Sequence, residues 1–407
     1  MRKFIPLAAT AVLLTTAATP AWAAAADAPT DVQVGRVDGK NQVTWVDDGE
    51  ANVVRAEYLD TGVVDVLTRP AADAANKVQL KNLRNSDRIR VTVTSVNSAQ
   101  EESTAGVSGL FDALHVTKPA LTNADLLPDR SIRVQWTYAA AQDLTPGDPL
   151  DSPDLLALDI SGQERIPLPA GSTSYTLPAR TGPAQISVAV SNSWSSTFGT
   201  GRVQLGTLQA AIAVPAQAVY GGTLGITSTI NSDLESIAVP IEIQARTSKT
   251  AAWKTIGRWT TYPGQTRSTP VNSPGAREYR LWASAVKEID QSVIKLAPAV
   301  STSARSSKSF ANVYNTRFEP ATTAIGTTTN LSVHVNPEVS MNAALQQLVG
   351  TTWKHVRSVP ITNGRAYIPT KATSRGTVTF RIVTPVVQVN GLQVEPGSSK
   401  PFTLTIR

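Results

Sequence analysis

Trp253-Lys254-Thr255-Ile256 recurs as Trp353-Lys354-His355-Val356, and strand-like runs in the same order flank both copies. The interval between the copies matches one β-sandwich of about 100 residues. Upstream, Val43-Thr44-Trp45 recurs as Val134-Gln135-Trp136, which places two more units of similar size before the pair. The runs alternate apolar and polar residues, the period of a strand with one buried face. Gly and Pro punctuate them and no long 3.6-residue period interrupts them, so the chain reads as all-β. The expected fold is a tandem array of four β-sandwich domains, at 27–115, 116–207, 208–306 and 307–407. A chain of 407 residues holds three or four domains of ordinary size, and the repeats select four.

Ahead of the array, Arg2-Lys3, an apolar run from Phe4 to Ala18, Pro20 and Ala21-Trp22-Ala23 have the pattern of an export signal, assigned to 1–26. The apolar run is short for a membrane span and no second one follows, so the expectation is a secreted, soluble chain without a transmembrane anchor. Cysteine is absent, which excludes disulfides and thiolate metal sites and leaves packed cores as the source of stability. The formal charge of +6 conceals an asymmetry. Residues 208–407 carry 20 Lys and Arg against 9 Asp and Glu, whereas residues 4–207 carry 15 against 22. A basic half in an exported chain suits an anionic cell-wall polymer; the alternative is a solvated surface with no partner.

In the first unit, Val32-Gln33-Val34, Gln42 to Val46, Val53 to Tyr58, Lys77 to Leu80 and Ile89 to Thr94 read as strands, separated by turns such as Asp38-Gly39 and Asp60-Thr61-Gly62. With Ala28-Pro29 opening the first strand, Trp45 on the second, then Leu80, Leu83 and the run Val91 to Asn97, this unit resembles a fibronectin type III domain. Ile89 stands where that family usually carries a tyrosine, so the hydrogen bond of a tyrosine corner is missing from its usual place. The second unit resembles the same family more loosely, through Ile132 to Trp136 and Ile186 to Ser193. The third and fourth units resemble the Ig-like repeat domains of exported bacterial proteins, through Tyr220 to Ile226, Ile241 to Arg246 and Tyr279 to Ala283, matched by Ile325-Gly326-Thr327, Ala344 to Leu348 and Phe380 to Val383. The Ser-rich stretch 301–309 reads as the linker between them.

The chain offers little for catalysis. His115, His334 and His355 fall in three different units, and no phosphate loop, zinc motif or EF-hand pattern is present, so no enzyme activity and no cofactor is expected. One cation site offers itself: Asp143, Asp148, Asp151 and Asp154, in a loop whose prolines resist regular structure, supply the hard oxygens calcium prefers, although a solvated acidic loop accounts for them as well. Recurrence at equivalent positions gives Trp45, Trp136, Trp253 and Trp353 a core-packing role, while Trp194, among Ser and Asn, is either a stacking surface for a sugar ring or a packing residue of a core or domain joint. Basic side chains near the repeated tryptophans, Arg246, Lys249, Lys254, Arg258, Lys354 and Arg357, are the candidate polymer contacts. Nucleic acid is a poor fit for an exported chain without a binding motif. The reading is a secreted, non-enzymatic binding, adhesion or spacer protein of the bacterial cell envelope, contacting polysaccharide, an anionic wall polymer or a surface protein. Its rivals are a carbohydrate-binding accessory working in trans with glycan-degrading enzymes, and a purely structural spacer.

Overall fold

The computed structural model describes residues 25–407 except Gln163. The expected export signal therefore lies outside the described residues, apart from Ala25 and Ala26. Among the described residues every regular element is a strand, and no helix is long and apolar enough to cross a membrane.

Four hydrophobic clusters lie along the chain, each between a three-stranded and a larger sheet. In the first sandwich Thr30–Val37, Lys40–Val46 and Lys77–Gln79 face Val63–Thr68, Ala51–Tyr58, Ile89–Val96 and Gly106–Val107. Later sandwiches repeat the scheme, which is that of fibronectin type III and Ig-like domains. In the third and fourth, a short piece after the first strand crosses to the other sheet and runs parallel to the last strand: Gln217–Val219 on Arg305–Phe310, and Thr322–Thr323 on Phe402–Ile406.

Period-two patterning explains the cores. Along Val239–Arg246, Val239, Ile241, Ile243 and Ala245 are buried while Pro240, Glu242, Gln244 and Arg246 face outward. Trp45 and Trp136 are buried in this way, at 4% and 1% exposure. Trp253 and Trp353 are not equivalent to them. Trp253 immediately precedes the strand Lys254–Thr261 and Trp353 lies at the start of Thr352–Ile361, both half-buried on the outer face of the larger sheet and each beneath an arginine: Arg280 lies 4.5 Å above Trp253 and Arg381 4.5 Å above Trp353. Gln244 Oε1 and Gln346 Oε1 accept from those guanidinium Nε groups, both at 2.8 Å, so the repeat marks a duplicated Gln–Arg–Trp stack and not a core position. The stack shields apolar indole surface with a cation whose stem is also apolar.

Two further expectations change. The Ser-rich stretch is no linker: Val300–Ser301 and Arg305–Phe310 close the third sandwich, with Ser307 and Ser309 buried and the Ser273 and Ser309 hydroxyls 3.0 Å apart. The junction falls instead at Ala311, between Phe310 and Asn312. Near the departure at Ile89, a buried tyrosine on another strand ties down the same region: Tyr58 Oη accepts from Arg84 N at 3.2 Å, anchoring the loop after Leu83.

Candidate functional site

Each joint between sandwiches is built by loops of the later one reaching back into the earlier one. At the first joint, the long acidic loop places Leu150 in the core of the first sandwich, where it is fully buried. Arg36 Nη2 donates to Leu150 O at 3.2 Å, and Asp148 Oδ2 accepts from Asp112 N at 2.9 Å. Trp194 comes from the second sandwich's last hairpin and packs on the same core, its ring stacked at 6.2 Å and 20° on Phe111. Asn192, Ser193 and Ser195 beside it bond Leu114 O, Asn41 and Val116 N. Of the two readings of Trp194, the geometry matches the joint seal.

The acidic loop is thus an interlock first. Asp148 and Asp151 meet Asp112, and the three offer carboxylate oxygens within 4.8 Å of one another. Asp112 was not among the expected residues because it lies in the first unit, and its approach to the loop is a tertiary fact without a local signal. Burial, then the charges of Asp148 and Asp143, push its carboxyl up to about 6. Asp143 stands beside the cluster, whereas Asp154 turns away and accepts from Tyr138 Oη and Asn192 Nδ2. Burial, then that same carboxylate, raises the Tyr138 phenol to about 12. These oxygens are of the type calcium takes, but Thr145 Oγ1 and the amides of Asp112, Gly147 and Leu150 already satisfy several of them.

The second and third joints use a device absent from the sequence reading. Between its last two strands the third sandwich carries a hairpin, Val286–Asp290 and Val293–Ala297, which leaves its own sheets. Val293–Ala297 runs parallel to Arg202–Leu205, the last strand of the second sandwich, with Val203 opposite Ile294 and Leu205 opposite Leu296. Arg202 N and Gly206 N donate to Ser292 O and Leu296 O at 3.0 and 2.8 Å. Ile294 and Leu296, 4% and 1% exposed, belong to the second sandwich's core. Lys287 Nζ reaches Asp125 at 2.6 Å on that sandwich's first strand, closing its open side. The fourth sandwich carries a hairpin at the matching place, Val387–Val389 and Leu392–Val394, but this one packs on its own core through Val394 and meets the third sandwich by backbone contacts: Glu395 N donates to Ser309 O at 2.7 Å, and Ala276 N to Gln393 O at 2.8 Å. Its turn, Asn390-Gly391 with φ of 50° and 76°, is a sequence signal for a hairpin that could have been read.

The expected basic contacts are partly committed elsewhere. Arg246 pairs with Glu278 at 2.7 Å and stacks on Trp253, Arg258 pairs with Glu242 at 2.6 Å, and Arg357 Nη2 donates to Thr370 Oγ1 at 2.7 Å. Hydrogen bonds from Thr255 and Gln244, with Arg258 beside them, hold the Glu242 carboxyl below its ordinary range. Lys249, Lys254 and Lys354 are exposed. The histidines stay apart: His115 Nε2 lies 3.1 Å from Leu83 O, His334 meets Tyr314 edge-on, and His355 is exposed.

No family model matches the chain, and no curated protein matches it. Among solved structures it is similar to the three N-terminal domains of the bacteriophage RB49 outer capsid protein Hoc, at 12% identity over 71% of this chain and 99% of that one, with a TM-score of 0.25. Chicken CNTN1 FN1-FN3 domains give 9% identity over 71% and 99%, with a TM-score of 0.20. Salmonella alpha-2-macroglobulin gives 11% over 92% of this chain and 30% of that one, with a TM-score of 0.19. The fold assignment rests on the chain's own strand order.

Proposed function

We propose that this chain is an exported, non-enzymatic envelope protein that holds a binding surface at a fixed spacing. The observation that carries this reading is the way the sandwiches are joined. Only Gly206 and Thr207 separate the strands of the second and third sandwiches, and a hairpin is clasped across that junction. Loosely tethered domains share small polar interfaces and move; burying Ile294 and Leu296 in a neighbour's core opposes such motion. Loops that commonly carry ligands in such folds are committed to joints here, so contacts with polysaccharide, an anionic wall polymer or a surface protein fall to the outer sheet faces and to exposed lysines of the basic half. Pull-down of the mature chain on purified cell walls across a salt series tests the binding part. Retention that fades with salt supports docking on an anionic polymer, and absence of retention at low salt rejects the wall as a partner.

A further inference from the structure

The seven-stranded sheet shared by the second and third sandwiches carries three grooves on its outer face. One, of about 540 Å³, is lined by Gln185, Gln204, Asp233, Glu235 and Lys295; the next, about 300 Å³, by Asp159, Gln185, Ser187, Phe198, Arg202 and Ser292; the last, about 260 Å³, by Leu155, Ala157, Arg165 and Pro167. Gln185 is common to the first two, and Phe198, opposite Ala189 in register, divides the second from the third.

Register turns these residues into ordered rows. Asp159 stands opposite both Arg165 and Ser187, and Gln185 opposite Gln204, which in turn faces Lys295 of the clasped hairpin. The next row holds Ala157, Ala189 and Phe198, and the last Leu155 and Ser191. Rows on one face are two residues apart, about 7 Å, so four rows span roughly 20 Å along the strands. Phe198 is 54% exposed and Leu155 64%, in the middle and at one end of a face otherwise furnished with amides, hydroxyls, the carboxylates of Asp159, Asp233 and Glu235, guanidinium groups and the Lys295 ammonium.

We propose that this composite face binds a linear glycan of uncharged pyranose rings. The proposal rests on the envelope-binding reading and names a ligand class for it. An exposed aromatic ring offers an apolar surface to the C–H face of a sugar, while Gln185, Gln204, Ser187, Asp159 and Arg202 supply both donors and acceptors for hydroxyl groups. A polyanion fits less well, because Asp159 stands opposite Arg165 in the same row and Lys295 is engaged by Asp290 at 3.4 Å. An added peptide strand would need a free sheet edge, and these grooves lie on the face. The third sandwich supplies Ser292 and Lys295, so the site exists only with its hairpin in place.

Affinity electrophoresis of the whole mature chain through gels containing barley β-glucan, laminarin, glucomannan or mannan tests this. At least one should retard it, and the retardation should persist at high salt. Phe198→Ala and Arg202→Ala, both on exposed side chains, should each weaken that binding about tenfold or more with an unchanged melting temperature, while Phe198→Trp retains it. Failure of all four glycans to retard the wild type overturns the proposal; salt-sensitive retention on cell walls would still leave the wider reading standing. Binding that Phe198→Ala and Arg202→Ala leave intact places the glycan elsewhere and also overturns it.

Discussion

Truncating Leu296 to Ala in the third sandwich should destabilise the second. Leu296 is 1% exposed and its contacts are Val203, Leu205 and their neighbours across the joint, so the substitution leaves a cavity in a core more than 80 positions upstream. A buried Leu to Ala change costs about 2–5 kcal/mol. The lower part of that range, about 2–4 kcal/mol, is expected because the four backbone pairings of the hairpin survive. Hydrogen exchange read by mass spectrometry assigns the loss to a place: peptides covering Ala184–Ser191 and Arg202–Leu205 should exchange roughly 30- to 700-fold faster. Ile289→Ala is the control, since Ile289 lies on the same hairpin but is 62% exposed, and it should change stability by less than about 0.5 kcal/mol. Unchanged exchange in the second sandwich, with acceleration confined to Thr223–Ser232 and Val239–Arg246, would refute the claim that the hairpin belongs to its neighbour's core.

Other expectations follow from the same joints. Gly275 has φ +139° and a Cβ there would lie 2.4 Å from Leu392 Cβ, so Gly275→Ala should cost about 2–4 kcal/mol and expose the 387–394 hairpin to exchange; protection equal to wild type would contradict it. Trp194→Ala should loosen the first joint at a cost of roughly 2–3 kcal/mol, seen as a larger radius of gyration by X-ray scattering and as faster cleavage near 115–119. Asp112 has a folded pKa of about 6 against an ordinary 3.8, so the folded state keeps a proton that the unfolded chain releases between about pH 4 and 6. Its contribution to stability is present below pH 4 and lost as pH rises through 6. Asp112→Asn should therefore raise the melting temperature at pH 7, by an amount corresponding to about 1–3 kcal/mol, and flatten its pH dependence; an unchanged pH profile would show that the cluster is not electrostatically strained. A calcium titration of the wild type is the matching readout, since an ion held by Asp112, Asp148 and Asp151 would raise the melting temperature reversibly with EDTA.

Sequence alone carried the all-β class and the strand rhythm, because period-two burial is a local property: Val43 and Trp45, or Ile241 and Ile243, announce their inward face by alternation. It did not carry partner identity. Val293-Ile294-Lys295-Leu296 alternates like any strand, and nothing within it says that its neighbour is Arg202–Leu205 and not a strand of its own sandwich. The repeated Trp-Lys motif was a true repeat with a different meaning, since packing on an outer face under an arginine leaves the same spacing as packing in a core. Among the site residues, Asp148 and Asp151 were visible because a loop concentrates them, while Asp112 was hidden by distance along the chain. Phe198, Asp159 and Arg202 escaped notice because a binding face drawn from separate strands has no contiguous motif.

Clasping the second sandwich with a hairpin from its successor couples the assembly of the two. A chain that emerges from its N-terminus finishes the second sandwich's own strands at Leu205 but must extend to Ala297 before Ile294 and Leu296 can complete that core. Until then the second sandwich keeps the edge of Arg202–Leu205 open. In a chain delivered from its N-terminus, such a dependency holds back compaction of the second sandwich until the strand ending at Ala297 has emerged.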